Sequence, residues 1–187
     1  MNPTIHIFPE LPPLPPTGQP VLLRVPCPLP RPAARKQARE VLRSLLSQWS
    51  DQESLPLQET ASGPAWPGQL QGTALDISLS YGAGEIWIAL LRDGTIGVDV
   101  MVPEAMDDLR GVAKLYLGDA MTGFLRRGAD LEIAFAMAWT QREARLKCLK
   151  RGLSEWTTEN ARDEAGCTTQ PILATPQIVG TLAWKNG

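Results

Sequence analysis

Two stretches of this chain place carboxylates and an ammonium where they could do chemistry. The first, TIGVDVM at 95–101, sets a lone Asp99 between two valines. The second, WTQREARLK at 139–147, places Glu143 one helical turn after Trp139 and one turn before Lys147. Taken alone, a Glu→Lys pair at i,i+4 is an ordinary surface feature that adds roughly 0.2–0.5 kcal/mol to a helix. The aspartate changes its weight. Aspartate is disfavoured in strands, and a carboxylate among apolar neighbours needs a cation, a hydrogen-bond donor or a metal.

The elements that must position these groups are legible from periodicity. Residues 131–151 read as one helix, with Leu131, Phe135, Ala138, Leu146 and Leu149 on an apolar stripe and Arg142 inside it. Trp139, Glu143, Lys147 and Lys150 run along the edge of that stripe. Asp130 is the expected N-cap, and Gly152 the expected stop. In the strand, Ile96, Val98 and Val100 point one way, and Gly97, Asp99 and Met101 the other. The valine side is the expected core. Gly97 leaves room for another backbone or a ligand to come close to Asp99.

Around these two elements the chain alternates strand-like and helix-like runs. IHIF and VLLRV flank a proline-rich loop, ELPPLPPTGQP, whose P-x-x-P spacing would suit either a stiff connector or a polyproline II ligand. Pro32 opens a helix to about Trp49, with Val41, Leu42, Leu45, Leu46 and Trp49 as its apolar side. Residues 50–72 read as a loop. ALDISLS, EIWIALL and TIGVDVM follow as strands, with Asp93-Gly94 a hairpin signal between the last two. Pro103 is expected to end the strand and open an amphipathic helix over 104–117. QPILAT and QIVGTLAW are the final strand candidates, beyond a polar loop. The pattern predicts an α+β protein in two uneven halves, 1–102 and 103–187.

Composition narrows the function. The chain has 187 residues, enough to bury a real core, and its 43% hydrophobic and 20% charged content suits a globular protein. No apolar run approaches the ~20 residues that span a bilayer, and MNPTIHIFPE has no signal-peptide pattern. Three cysteines, Cys27, Cys148 and Cys167, fit neither a disulfide framework nor a zinc spacing, so a reducing cytoplasm is the expected home. A single histidine, His6, excludes histidine-based triads and multi-histidine metal sites. A net charge of −2 argues against general nucleic-acid binding. The basic residues cluster, however: Arg31, Arg35, Lys36, Arg39 and Arg43 in the first helix, and Arg142, Arg145, Lys147, Lys150 and Arg151 in the central one. Two basic helices on an acidic protein suit a small polyanion or an acidic protein partner, or are solvated faces.

Against that background GVDVM resembles the G-(I/V)-D-(I/V)-E motif of 4′-phosphopantetheinyl transferases of the surfactin-synthetase-activating type. WTQREARLK resembles their W-x-x-K-E-A-x-x-K motif, in the same order and at a similar spacing. SLSYGAG is similar to the S-L-S-H-S-G segment that precedes the first motif, and Ser62-Gly63-Pro64 to the family's G-(K/R)-P. The similarity runs from about residue 31 to 152. It implies two similar α+β halves related by a pseudo-two-fold, with the active site in the cleft between them. It implies Mg²⁺-dependent transfer of the phosphopantetheine arm of coenzyme A to a serine of an acyl or peptidyl carrier protein, of the kind used in fatty-acid, polyketide and nonribosomal-peptide synthesis, with release of adenosine 3′,5′-bisphosphate. A cytoplasmic monomer is expected, with no nucleic-acid or membrane partner.

By the same resemblance Asp99 and Glu143 would be metal ligands, Lys147 would contact the phosphate under attack, and Arg35, Arg39, Gly63, Pro64, Ser80 and Tyr81 would bind coenzyme A. The serine proton would go to Glu143 or to a metal-bound water. Hard carboxylate oxygens suit Mg²⁺, which takes phosphate and water as further ligands. The chain departs from the family at Met101, where a glutamate is usual, at Arg142 for a lysine, at Tyr81 for a histidine, and in LYLGDAM, where Asp119 is the nearest acid. These departures admit an alternative, a weakened homologue that binds coenzyme A or a carrier protein without efficient transfer. A third reading, a proline-rich adaptor, requires the 10–20 loop to be exposed and mobile.

Overall fold

A computed structural model describes residues 3–50, 56–60, 63–118, 130–175 and 177–187, with the side chains of 173–175 excepted. It is mixed α+β, 33% helix and 36% strand, so neither element type dominates. The strands are β1 (Thr4–Ile7), β2 (Val21–Pro26), β3 (Gln58–Thr60), β4 (Gly63–Ala65), β5 (Gln69–Leu70), β6 (Thr73–Gly82), β7 (Glu85–Arg92), β8 (Gly94–Met101), β9 (Thr168–Thr175) and β10 (Ile178–Asn186). The helices are α1 (Arg31–Trp49), α2 (Leu109–Leu117), α3 (Leu131–Cys148) and α4 (Thr158–Glu164). No helix among the described residues is long and apolar enough to cross a membrane.

One sheet has the order β1-β2-β7-β6-β5, a second β8-β10-β9, and among the described residues β3 and β4 form a third. EIWIALL is apolar at nearly every position because β7 is covered on both sides. Its Ile86, Ile88 and Leu90 join Leu23, Val25 and the α1 residues Val41, Leu42, Leu45 and Leu46 in one core. Its Trp87, Ala89 and Leu91 meet Ile96, Val98 and Val100 of β8 in a second. The valine side of β8 therefore packs on the first sheet, and the Asp99 side is left for α3.

Between the two sheets β6 and β8 run side by side without a backbone ladder. Instead, alternate side chains of β6 accept the amides of β8. Asp76 Oδ2 accepts from Ile96 N at 2.7 Å, Ser78 Oγ from Val98 N at 3.0 Å, and Ser80 Oγ from Val100 N at 3.1 Å. Three buried donors are satisfied this way, as buried amides must be.

Several local expectations are revised. Asp93-Gly94 makes a turn, with Asp93 at φ 60°, but β7 and β8 enter different sheets, so it is a crossover and not a hairpin. The two-residue hairpin is Ala83-Gly84, both at positive φ, between β6 and β7. The GVDV strand, β8, lies in the second sheet beside β10. Helix α2 starts at Leu109, five residues after the expected start, where the Asp108 carboxylate accepts from Gly111 N at 3.1 Å. Short strands β3, β4 and β5 occupy the 50–72 stretch, and α4 occupies the polar loop, capped by Thr157. Asp130 caps α3 as expected. The proline-rich loop is packed: Trp49 Nε1 donates to Pro12 O at 3.0 Å, buried Arg92 Nη1 to Pro15 O at 3.1 Å, and Leu11 and Leu14 lie on the first core. The three cysteines are buried free thiols, and burial together with neighbouring Cys148 pushes Cys167 up to about 12. Ser62, Asp119, Gly128 and Ala129 lie outside the described residues.

Candidate functional site

Helix α3 lies directly on β8 because Gly97 has no side chain. A Cβ there would stand 2.5 Å from Cys148 N and nearer still to Ala144 O. That approach brings one edge of α3 along the β6–β8 seam, and the edge is the row Trp139, Glu143, Lys147 and Lys150. Lys150 Nζ donates to Asp76 Oδ2 at 2.6 Å. One turn back, Lys147 Nζ donates to Asp99 Oδ1 at 2.8 Å, to Val98 O at 2.9 Å and to Leu79 O at 3.4 Å. Ser80 Oγ donates to the same Asp99 oxygen at 3.0 Å. The helix ends at Cys148, not at Gly152. Lys150 N bonds to Lys147 O and Arg151 N to Leu146 O, a Schellman closure with Lys150 in the left-handed region at φ 57°.

Glu143 lines the wall one turn further on. Its carboxyl is held above the usual range by burial first and then by the charge of Asp99, with Lys147 and Arg142 pulling the other way. It accepts no hydrogen bond from a described residue. Trp139 closes this side, stacked on Phe135 at 5.5 Å and edge-on to Tyr116 at 5.7 Å.

Across the pocket α1 presents Arg31, Arg35 and Arg39 at four-residue spacing, on one face. Arg39 forms a two-pronged pair with Glu59, both bonds 2.6 Å, and donates to Arg35 O. That pair raises Arg39 and holds Glu59 below the carboxylate norm. Arg31 lies over the Tyr81 ring at 5.6 Å, and burial raises the Tyr81 phenol, with Arg39, Arg35 and Arg31 pulling it back. Gly63 and Pro64 of β4 complete the rim.

Asp99, Glu143, Lys147, Arg35, Arg39, Gly63, Pro64, Ser80 and Tyr81 thus all border a single pocket of about 580 Å³, with Met101, Trp139, Arg31, Glu59 and Thr60 beside them. Arg31 was within reach of the sequence, one turn before Arg35. Glu59 and Thr60 carried no signal, because β3 is exposed and lacks a period. Arg142 is elsewhere: it is 5% exposed, pairs with buried Glu164 at 3.3 Å, and donates to the carbonyls of Tyr116 and Glu155. It joins α3 to α2, to α4 and to the segment that leads into α4. His6 lies in β1 and does not line the pocket.

Among the described residues no group of three or more His, Cys, Asp or Glu side chains gathers as a metal cluster. Glu143 nonetheless lies close enough to Asp99 to feel its charge, and both face a pocket otherwise rich in guanidinium. Two carboxylates fit a hard cation that completes its shell with phosphate and water. Met101 adds only a soft thioether, which does not replace a carboxylate there. No family model matches the chain, and no curated protein matches it significantly.

Proposed function

We propose that the protein is a Mg²⁺-dependent transferase that moves the 4′-phosphopantetheine arm of coenzyme A to a serine of an acyl or peptidyl carrier protein. The observation that carries this reading is the meeting, in one pocket, of the Asp99–Glu143–Lys147 set with the arginine row of α1. Those arginines suit the 3′-phosphate and pyrophosphate of coenzyme A, and Tyr81 offers a ring face. Asp99 and Glu143 would hold the metal, whose chemistry when bound is to neutralise charge on the phosphates. The serine oxygen forms a bond to the phosphorus of the pantetheine arm, and the bond from that phosphorus to adenosine 3′,5′-bisphosphate breaks. Glu143 would accept the serine proton, and Lys147 would donate to the phosphate oxygens as charge builds. Two similar halves related by a pseudo-two-fold are part of this proposal. The packing of α1 on one sheet and α3 on the other supports it.

The test is intact-mass measurement of apo carrier proteins incubated with coenzyme A and Mg²⁺. The expected result is the added arm, abolished by excess chelator. Glu143→Ala and Lys147→Ala should each slow transfer at least ~100-fold with folding retained. Normal turnover in both variants would remove the pair from the chemistry. A second reading, a homologue that binds coenzyme A or a carrier protein without efficient transfer, is favoured by one observation, the thioether of Met101 beside Asp99. The packed prolines argue against an adaptor role.

A further inference from the structure

Lys147 does not wait in the pocket as an idle phosphate donor. Its ammonium is enclosed by three oxygens, Asp99 Oδ1, Val98 O and Leu79 O, at 2.8, 2.9 and 3.4 Å. All three of its N–H donors therefore have a partner. The oxygens come from both strands of the seam, and Glu143 stands one turn away on the same helix, close enough to feel the charge of both Asp99 and Lys147. This is how an oxygen-lined site treats a small monovalent cation.

We infer that Lys147 is the resident cation of Asp99, and that a divalent ion binds by displacing the ammonium from that carboxylate. The inference rests on the proposed metal role of the two carboxylates, but concerns a different event, the exchange of one cation for another. The reasoning is electrostatic. Asp99 is only 14% exposed and Lys147 30%, so their attraction is weakly screened, and neither can lose its partner cheaply. A divalent ion brought to Asp99 supplies the missing charge. It repels the ammonium, which then swings into the pocket, where a phosphate can receive it. Metal arrival and presentation of the phosphate donor are then one step. The chain cannot offer Lys147 to a phosphate while Asp99 lacks another cation.

Direct binding of Mn²⁺ alone, followed by its electron paramagnetic resonance signal, tests this without any turnover. Lys147→Met should bind Mn²⁺ about tenfold more tightly than the unaltered chain, and Asp99→Asn should abolish binding. The unaltered chain gives an independent reading through acetylation of lysines mapped by peptide mass. Labelling of Lys147, normalised to exposed Lys36, should rise as Mn²⁺ is added. Equal or weaker Mn²⁺ binding by Lys147→Met, or Lys147 labelling indifferent to Mn²⁺, would overturn the exchange. The labelling arm decides the matter even if the variant fails to fold. Cation exchange without any arm transfer would leave this inference standing and remove the transferase reading. Transfer with Lys147 still protected would do the reverse.

Discussion

Glu143 is a carboxylate placed where charge is expensive, and its protonation should be visible in stability. Its folded-state pKa is raised, by burial first and by Asp99 second. The folded chain therefore holds this proton more tightly than the unfolded chain does. The stability so gained is fully present below the ordinary glutamate value and is lost as pH rises through the raised one. Glu143→Gln should accordingly melt higher than the unaltered chain at about pH 7, and the gain should vanish as pH falls below about 4.3. An equal gain at both ends would show that shape, not charge, sets the cost. Met101 is the neighbouring residue to alter. It borders the same pocket as Asp99, so Met101→Glu should lower the Mg²⁺ concentration for half-maximal transfer and strengthen the stabilisation of the fold by Mg²⁺. If neither titration curve moves in a folded variant, the side chain does not reach the cation.

Helix α3 and strand β8 show how much of the site the sequence carried at the level of elements. Period-two alternation placed Asp99, Gly97 and Met101 together, and period 3.6 placed Trp139, Glu143, Lys147 and Lys150 on one edge; local geometry alone sets both. What local geometry could not supply was the partner of each element. Asp93-Gly94 has the chemistry of a hairpin, but whether the next strand returns to β7 or enters another sheet depends on the distant β10. The start of α2 followed the Asp108 side chain rather than Pro103, and Arg142, apparently misplaced on an apolar stripe, answers to Glu164 across the fold. Its pairing with α4 was invisible because α4 is one short polar helix with no apolar period. Gly97 is the joint of the two legible elements, and it yields a prediction at this scale. Gly97→Ala must push α3 off β8, at a cost of about 1–3 kcal/mol. The melting midpoint should fall by about 2–4 °C for each kcal/mol in a domain of this size. Because Lys147 rides on the displaced turn, transfer should fall further than the loss of folded protein explains. A variant as stable and active as the original would mean that the helix is not seated on the glycine.

Across the whole molecule, the pocket spans a seam that is made by side chains rather than by a ladder. Ser78 and Ser80 make neighbouring rungs, which permits a controlled comparison. Ser78→Ala leaves the buried amide of Val98 without its acceptor and should cost about 1–3 kcal/mol, read as a lower unfolding midpoint with pocket chemistry intact. Ser80→Ala should cost about as much and also disturb Asp99, which loses a donor. If the two variants were indistinguishable in Mg²⁺ response, the seam would be separate from the site. The construction has a further consequence in time. Amides of β8 alternate between two kinds of acceptor: those of Ile96, Val98 and Val100 rely on hydroxyls and a carboxylate of β6, while the intervening ones face the continuous ladder of β10. An amide held by a side-chain acceptor opens to solvent more readily than one held in a backbone ladder. Deuterium uptake along β8 should therefore beat with a period of two, the even-numbered positions exchanging first. A ligand that bridges the seam should slow those positions and leave the odd-numbered ones almost unchanged.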